Sequence, residues 1–166
     1  MPEVFSLQPL IDDNSEILIL GTMPGEESLR LGQYYADPRN KFWDIVSNIL
    51  GSEITDADYN DKEILLKKHR IALWDVLAHC IRDGGLDSNI KAEVPNDIVN
   101  ILLNYPKMKC VLFNGRTAEK LFKKYNKSIM KDGRRYIALP STSSTPGRHV
   151  KPYGLKVLKW KEHLNC

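Results

Sequence analysis

The sequence predicts an α/β fold: a three-layer α/β/α sandwich around a central, mainly parallel four-stranded sheet. The main observation is that short apolar segments typical of buried strands alternate with amphipathic segments typical of helices. Strands that alternate with helices are joined by right-handed crossovers, which pair the strands in parallel and place helices on both faces of the sheet.

Four apolar segments predict the strands, at residues 17–20, 71–76, 110–113 and 135–139. The first stops at Gly21 and the third is ended by Asn114-Gly115, while Asp75 lies at the end of the second. The segment 82–95, which contains Gly84 and Gly85, is expected to be irregular.

Amphipathic segments predict the helices. Asp37 and Pro38 are expected as the N-cap and first residue of a helix, which places Asn40 in its first turn. Further helices are predicted around residues 62–69, from Pro95 and Asn96 onward, and at 117–125 and 153–164.

Length and composition restrict the class of protein. The 166 residues are expected to form one domain, spanning 1–166. No apolar run approaches a membrane span and the N-terminus lacks a secretory pattern, so we expect a cytoplasmic protein that does not bind membranes. We also expect it to act as a monomer. The three cysteines show no CxxC spacing and the four histidines no HxxxH spacing, so neither a metal nor a cofactor is expected.

Charge is distributed unevenly along the chain. Residues 1–106 contain 9 Lys/Arg and 18 Asp/Glu, whereas residues 107–166 contain 15 Lys/Arg and 3 Asp/Glu. This segregation can present a basic face to a polyanion such as nucleic acid. A lysine-rich surface that only keeps the protein in solution explains the charge equally well.

Several polar segments lie where the predicted strands end. The loop Gly21-Thr22-Met23-Pro24-Gly25 follows the first strand and matches neither a P-loop nor the GxGxxG fingerprint. The carboxyl ends of parallel strands meet at one edge of a sheet, where α/β proteins bind ligands. We therefore expect this loop, Asp75 and the segment 140–147 to form one cleft. Taken alone, the loop is as well explained by an ordinary turn.

Three motifs carry a family resemblance. They are GTMPG followed by YYADPRNKFW, then ALWDVL with Cys80, Arg82 and GLDS, and finally LPSTS. Together they resemble the uracil-DNA glycosylase superfamily and are most similar to its hypoxanthine-DNA (DNA-deoxyinosine) glycosylase branch. The resemblance implies a DNA repair enzyme that cuts the N-glycosidic bond of hypoxanthine, with other deaminated bases as further candidates, in single- or double-stranded DNA. It is expected to be monofunctional, because the motifs contain no lysine placed to form a Schiff base.

The resemblance also implies roles for individual residues. Asn40 is the candidate catalytic residue, since an amide can position water or a polar edge of the substrate. The candidate base-binding residues are Gly21, Thr22, Met23, Pro24, Gly25, Tyr35 and Asp75. Tyr35 would stack on the extruded base. An ionised Asp75 would accept a hydrogen bond from N1–H of hypoxanthine and oppose the bare N1 of adenine. The structural alternatives are core packing for Tyr35, a loop cap for Asp75 and a helix-start amide for Asn40.

The last motif supplies the candidate DNA-binding residues. They are Ser141, Thr142, Ser143, Ser144, Arg148 and His149. Hydroxyl groups, backbone N–H groups and an arginine suit contacts with phosphates, and the resemblance implies that this loop enters the duplex. Without the other motifs, an ordinary surface loop would be the better explanation.

Two positions depart from the superfamily pattern. Met23 stands where many members have Asp or Asn to hold the attacking water, and a thioether cannot orient water. Leu139 stands where a histidine is usual. Two other functions therefore stay open: a uracil- or mismatch-directed glycosylase of the same fold, and a non-catalytic nucleic-acid-binding α/β module.

Overall fold

The computed structural model describes residues 2–145 and 151–164. Its strands are β1 (Glu3–Phe5), β2 (Ile17–Gly21), β3 (Ile71–Asp75), β4 (Leu77–Ile81), β5 (Lys91–Pro95), β6 (Cys110–Asn114) and β7 (Arg135–Leu139). Its α-helices are α1 (Glu26–Leu31), α2 (Phe42–Leu50), α3 (Tyr59–Lys68), α4 (Ile98–Asn104), α5 (Arg116–Asn126) and α6 (Tyr153–Leu164). Among these described helices, none combines the length and apolar character that crossing a bilayer requires.

The main sheet confirms the predicted architecture. Its four strands are all parallel and lie in the order β3-β2-β6-β7. Successive residues of β2 point to opposite faces, so Ile17 and Ile19 pack with α2, α3 and α6, while Leu18 and Leu20 pack with α4 and α5. Because both faces are covered by helices, the sheet forms the middle of three layers.

A second sheet lies beside the first and was not predicted. It contains three antiparallel strands in the order β1-β4-β5. The prediction of an irregular segment at 82–95 is therefore wrong for its last part, which forms β5. This strand is hard to recognise from sequence because it is short, mostly exposed and joined to β4 through register shifts.

The start of α2 also differs from the prediction. The helix begins at Phe42 with Lys41 as N-cap, four residues beyond the first predicted helical residue, Pro38. Asp37 and Pro38 instead form a turn, because the Asp37 carboxylate accepts from the Arg39 N–H and the Asp37 carbonyl accepts from the Asn40 N–H. Asn40 therefore precedes the helix and is not in its first turn.

The strand ends are held by a side-chain amide that follows β5. Asn96 Nδ2 donates to the carbonyl oxygens of Asp75, at 2.8 Å, and Leu77, at 3.0 Å. These two residues flank the point where the chain leaves the main sheet and enters the small one. Asn96 thereby fixes the position of the last residue of β3.

We predict that Asn96→Ala lowers the free energy of unfolding by about 1–3 kcal/mol, because it leaves two carbonyl groups without their donor. Urea denaturation monitored by circular dichroism measures this change. Asn104→Ala is the matched control, since the exposed Asn104 amide contacts only Asn100 on the surface of α4. Equal losses in the two variants would contradict the role given to Asn96.

Candidate active site

The centre of the site is a close approach between two neighbouring strand ends. Gly21, the last residue of β2, lies opposite Asp75, the last residue of β3. A Cβ atom on residue 21 would lie 2.5 Å from Asp75 Oδ1 and 3.4 Å from the Tyr35 hydroxyl. The absence of a side chain at Gly21 therefore lets the carboxyl and the phenol converge above the end of β2.

Asp75 is a buried carboxyl group with incomplete hydrogen bonding. It is 5% exposed, and its Oδ2 atom has no hydrogen-bond partner among the described residues. Burial raises the pKa of Asp75 to about 7, with a further increase from the Asp87 carboxylate and an opposing effect of Arg82. An unpartnered buried oxygen is costly, which is typical of a group that awaits a ligand.

Arg82 anchors the loop after β2. Its guanidinium group is buried, and Nη2 donates to the Pro24 carbonyl oxygen at 2.6 Å, while Nε and Nη1 have no partner among the described residues. The backbone N–H groups of Val76 and Leu77 donate to the Gly21 and Thr22 carbonyls. The chain that follows β3 therefore fixes the loop 21–25 from one side.

The members of that loop do not all face the same surroundings. Thr22 is buried. Burial raises the pKa of Asp87, against the opposing effects of Arg82 and of a hydrogen bond that Asp87 accepts from the Thr22 side chain. Met23 is also buried and packs into the core on the side of α4 and α5. A Cβ atom on Gly25 would meet no neighbouring atom. Met23 is therefore part of the core packing that supports the loop.

The Tyr35 hydroxyl borders the space above Gly21. Its ring stacks on Phe42, with centroids 4.0 Å apart and planes inclined by 22°, so one of its faces is already covered. Burial, followed by the nearby Asp75 carboxylate, raises the pKa of the phenol above its ordinary value. The hydroxyl group of Tyr35 therefore stays protonated at neutral pH.

The backbone of Tyr35 is strained, with φ of 54° in the left-handed region. The neighbouring residues hold it there. Tyr34 N–H donates to the Tyr59 hydroxyl, the Trp43 indole N–H donates to the Tyr34 carbonyl, and Ala36 N–H donates to Ser28 Oγ. A strained residue held by several independent contacts is typical of a functional site.

Asn114 connects Tyr35 to the loop that follows β7. Its Oδ1 accepts the Thr142 N–H at 2.9 Å, while its Nδ2 donates to Thr142 Oγ1 at 2.9 Å and to the Tyr35 hydroxyl at 3.1 Å. Sequence reasoning missed this residue. The signal was present, however, because Asn114 ends β6 at the same edge of the sheet as Gly21 and Asp75.

The loop after β7 is fixed from below by α6. Trp160 Nε1 donates to the Pro140 carbonyl at 2.8 Å, and Lys156 Nζ donates to the Ser143 carbonyl at 3.3 Å. Lys156 is 6% exposed, and burial lowers its pKa. Thr142 is fully buried, whereas Ser141 and Ser144 are exposed. The structure thus provides a firmly supported loop with serine hydroxyls on its surface and an ammonium group beneath it.

Asn40 lies beside the same loop. Its Oδ1 accepts the Phe42 N–H at 2.9 Å, and the N–H of the next residue, Lys41, donates to the Thr142 carbonyl. The amide oxygen of Asn40 therefore accepts a hydrogen bond at the start of α2, which is the structural role given above as the alternative to catalysis. The NH2 group of Asn40 makes no hydrogen bond with the described residues and is left for another partner.

The structure thus brings Gly21, Tyr35, Asp75 and Thr142 together and places Asn40 next to them. Arg148 and His149 lie outside the described residues. Within the described ranges, no group of three or more His, Cys, Asp or Glu side chains is arranged to hold a metal ion.

Two hollows of the surface lie away from these residues. One is at the opposite end of the main sheet, near Glu16, Arg70 and Lys109, whose side chains pair with one another. The other lies between the end of α2, the segment 51–57 and Tyr153, and its charged lining is acidic. An acidic lining does not suit a polyanion, so the second hollow does not compete with the carboxyl edge as a nucleic-acid site.

Comparison with known proteins agrees with this geometry. A family model described as the uracil DNA glycosylase superfamily matches residues 8–158. A hypoxanthine DNA glycosylase of Methanosarcina acetivorans is 39% identical over 142 residues, covering 86% of this chain and 87% of that protein. A protein of the same name from Methanosarcina barkeri is 42% identical over 108 residues, covering 65% and 68%. The fold resembles the solution NMR structure of a candidate uracil DNA glycosylase from M. acetivorans, with a TM-score of 0.83, 34% identity, and coverage of 99% and 98%.

The titration of Asp75 gives a direct test of the site's electrostatics. We predict an NMR titration midpoint of about 7 for its carboxyl carbon. Since the folded protein holds this proton more tightly than the unfolded chain, the stability that Asp75 contributes is complete below about pH 4 and lost as the pH rises through about 7. Asp75→Asn should remove this part of the pH dependence of unfolding.

Asp37→Asn is the control with the opposite sign. The side-chain hydrogen bond from Arg39 lowers the pKa of Asp37. The stability that Asp37 contributes to the folded protein is therefore present above the ordinary carboxyl pKa and lost as the pH falls. An Asp75 midpoint near the ordinary value of 3.8 would contradict the burial of an unpartnered carboxyl.

Proposed function

The chain belongs to the uracil DNA glycosylase superfamily, and from that premise we propose that it is a DNA glycosylase that excises hypoxanthine from DNA. The reaction is hydrolysis of the N-glycosidic bond of deoxyinosine, the deaminated form of deoxyadenosine. The observation that carries the proposal is the buried Asp75 carboxyl, with one unpartnered oxygen, beside Tyr35 and Gly21.

Asp75 provides a physical basis for recognising the deaminated base. Hypoxanthine has a hydrogen-bond donor at N1, whereas N1 of adenine is a bare acceptor. An ionised Asp75 accepts from the first and repels the second. Burial makes this discrimination strong, because a buried polar group without a partner costs about 1–3 kcal/mol. The ionised form of Asp75, which predominates above about pH 7, therefore rejects normal adenine and holds hypoxanthine.

Access to the base requires that the nucleotide leave the stack. We propose that the loop after β7 contacts the DNA backbone through Ser141, Thr142, Ser143 and Ser144, joined by Arg148 and His149. Anchoring from α6 supports this assignment, since Trp160 and Lys156 hold the loop backbone in place. The ammonium of Lys156 adds positive charge beneath the serine hydroxyls, which favours binding to phosphates.

Asn40 is proposed as the catalytic residue. Its NH2 group has no partner among the described residues and lies beside the Thr142 loop, where it can position water or the departing base. An amide is a weak base, so the sugar must develop positive charge before water attacks. Such a dissociative reaction does not require a strongly activated water molecule. This agrees with the position of Met23, which is packed in the core and does not hold water.

Uracil excision is the second candidate function. The observation that favours it is the structural similarity to the candidate uracil DNA glycosylase from M. acetivorans. The N3–H of uracil could donate to Asp75 in the same way as N1–H of hypoxanthine. Against it stands Met23, because a thioether cannot hold the water that many superfamily members position with Asp or Asn.

We further propose that the protein acts as a single-domain monomer in the cytoplasm, on single- or double-stranded DNA. A monofunctional reaction leaves an abasic site in the DNA for later repair steps.

The proposal is tested with oligonucleotide duplexes that carry one deoxyinosine, deoxyuridine or deoxyxanthosine. After incubation with the protein, alkali cleaves the strand wherever a base has been released. We expect cleavage at deoxyinosine. Cleavage at deoxyuridine alone would favour the second candidate, whereas duplex binding without any cleavage would favour the non-catalytic module.

We predict that Asn40→Ala lowers the rate of hypoxanthine release by roughly 100-fold or more while duplex binding is retained. Single-turnover assays and fluorescence anisotropy measure the two properties separately. Asn48→Ala, an exposed asparagine on α2, is the matched control and should keep full activity. Wild-type release by a folded Asn40→Ala variant would refute the catalytic assignment.

A further inference from the structure

The hydroxyl group of Tyr35 is only half satisfied. Among the described residues, its one hydrogen bond is accepted from Asn114 Nδ2, at 3.1 Å. Within the described part of the chain, the phenolic proton has no acceptor. Asp75 Oδ1 borders the same space, since a Cβ atom on Gly21 would lie 2.5 Å from it and 3.4 Å from the Tyr35 hydroxyl, and the other oxygen of this carboxyl, Oδ2, has no donor among the described residues. A phenol that lacks an acceptor and a carboxyl that lacks a donor thus border the same space.

The orientation of the Asn114 amide follows from its surroundings. The Thr142 backbone N–H can only donate, so the atom that it faces must be the amide oxygen, Oδ1. The NH2 group must then face the Tyr35 hydroxyl. Because Nδ2 can only donate, the phenol accepts at that contact, and its own proton must point elsewhere. Asn114 therefore makes Tyr35 a hydrogen-bond donor to the cleft.

We propose that Tyr35 determines specificity by donating its hydroxyl proton to the 6-oxo group of hypoxanthine, while Asp75 accepts from N1–H. The inference rests on the function proposed above and extends it. The Tyr35 hydroxyl is a donor and matches the 6-oxo oxygen, which is an acceptor. The Asp75 carboxylate is an acceptor and matches N1–H, which is a donor. Adenine presents the reverse pattern, a 6-amino donor beside a bare N1 acceptor.

This role differs from the stacking expected from the sequence. One face of the Tyr35 ring already lies against Phe42, at 4.0 Å between centroids, and the hydroxyl group is fixed next to Gly21. A base that only stacks on the ring makes no use of the hydroxyl. The two roles therefore respond differently to removal of a single oxygen atom.

Guanine and thymine carry the same edge as the deaminated bases, so their exclusion depends on other groups.

The experiment compares Tyr35→Phe with the wild type on two duplexes, one with deoxyinosine and one with 6-thio-deoxyinosine. The thio base keeps N1–H but replaces the oxo oxygen with sulfur, a weaker acceptor. The thio base also differs from hypoxanthine as a leaving group, but this difference affects the wild type and the variant equally. It therefore cancels when the ratio of the release rates of the oxo and thio bases is compared between the two proteins. We expect the variant to release hypoxanthine roughly tenfold more slowly or worse. Its oxo-to-thio ratio should fall towards the ratio of the uncatalysed reaction.

Asn114→Asp provides a second variant that keeps the Tyr35 hydroxyl. One oxygen of the new carboxylate still accepts from Thr142 N–H, and the other replaces Nδ2 and accepts the phenolic proton. The donor is then turned away from the cleft, so the oxo-to-thio ratio should fall as it does in Tyr35→Phe. Asn114 is thus a positioning residue that acts through Tyr35.

Tyr34→Phe is the matched control, because its hydroxyl donates to the Gln8 carbonyl at 2.6 Å and not to the cleft. It should lower thermal stability and leave the oxo-to-thio ratio at the wild-type value. An unchanged ratio in Tyr35→Phe, with the wild type active on deoxyinosine, would overturn the inference and indicate stacking alone. Absence of release by the wild type would instead overturn the proposed function.

Discussion

The site depends on the empty space above Gly21. Two parallel strands end side by side there, and a Cβ atom at residue 21 would come within 2.5 Å of Asp75 Oδ1. Because the space is free, a carboxyl from β3 and the Tyr35 phenol from the loop before α2 can both face the point where β2 stops. The hydrogen bonds of Asn114 and Arg82 then hold these groups and their loops in position.

The resulting chemistry needs neither a strong base nor a metal in the mechanism that we propose. Recognition is assigned to a buried acceptor, Asp75, and a partly buried donor, Tyr35. A mismatched base would leave these groups without hydrogen-bond partners and away from water, which costs free energy. Catalysis is assigned to a neutral amide next to a loop that contacts phosphates, which suits a sugar that becomes cationic before water attacks. Burial raises the pKa of Asp75 to about 7, so recognition by its ionised form is expected to weaken in acid.

The sequence was sufficient for the parallel sheet, because runs such as 17–20 and 110–113 are apolar on both faces. It was insufficient for β5, whose exposed and irregular pairing leaves no periodic pattern. The start of α2 was misplaced because Asp37 can cap a helix or close a turn. The structure has the turn, and Lys41, the N-cap of α2, contacts Thr142, which is distant in sequence. Asn114 was missed because its role depends on three contacts with residues distant in sequence.

The most direct test of the account is Gly21→Ala. The backbone of Gly21 does not have the positive φ that only glycine adopts easily, so the chain should fold, and the new methyl group should displace the Asp75 carboxyl. Hypoxanthine release from a deoxyinosine duplex is measured alongside the thermal unfolding of the variant. The account predicts a folded protein that has lost most of its release activity. A folded Gly21→Ala variant that releases hypoxanthine at the wild-type rate would contradict it.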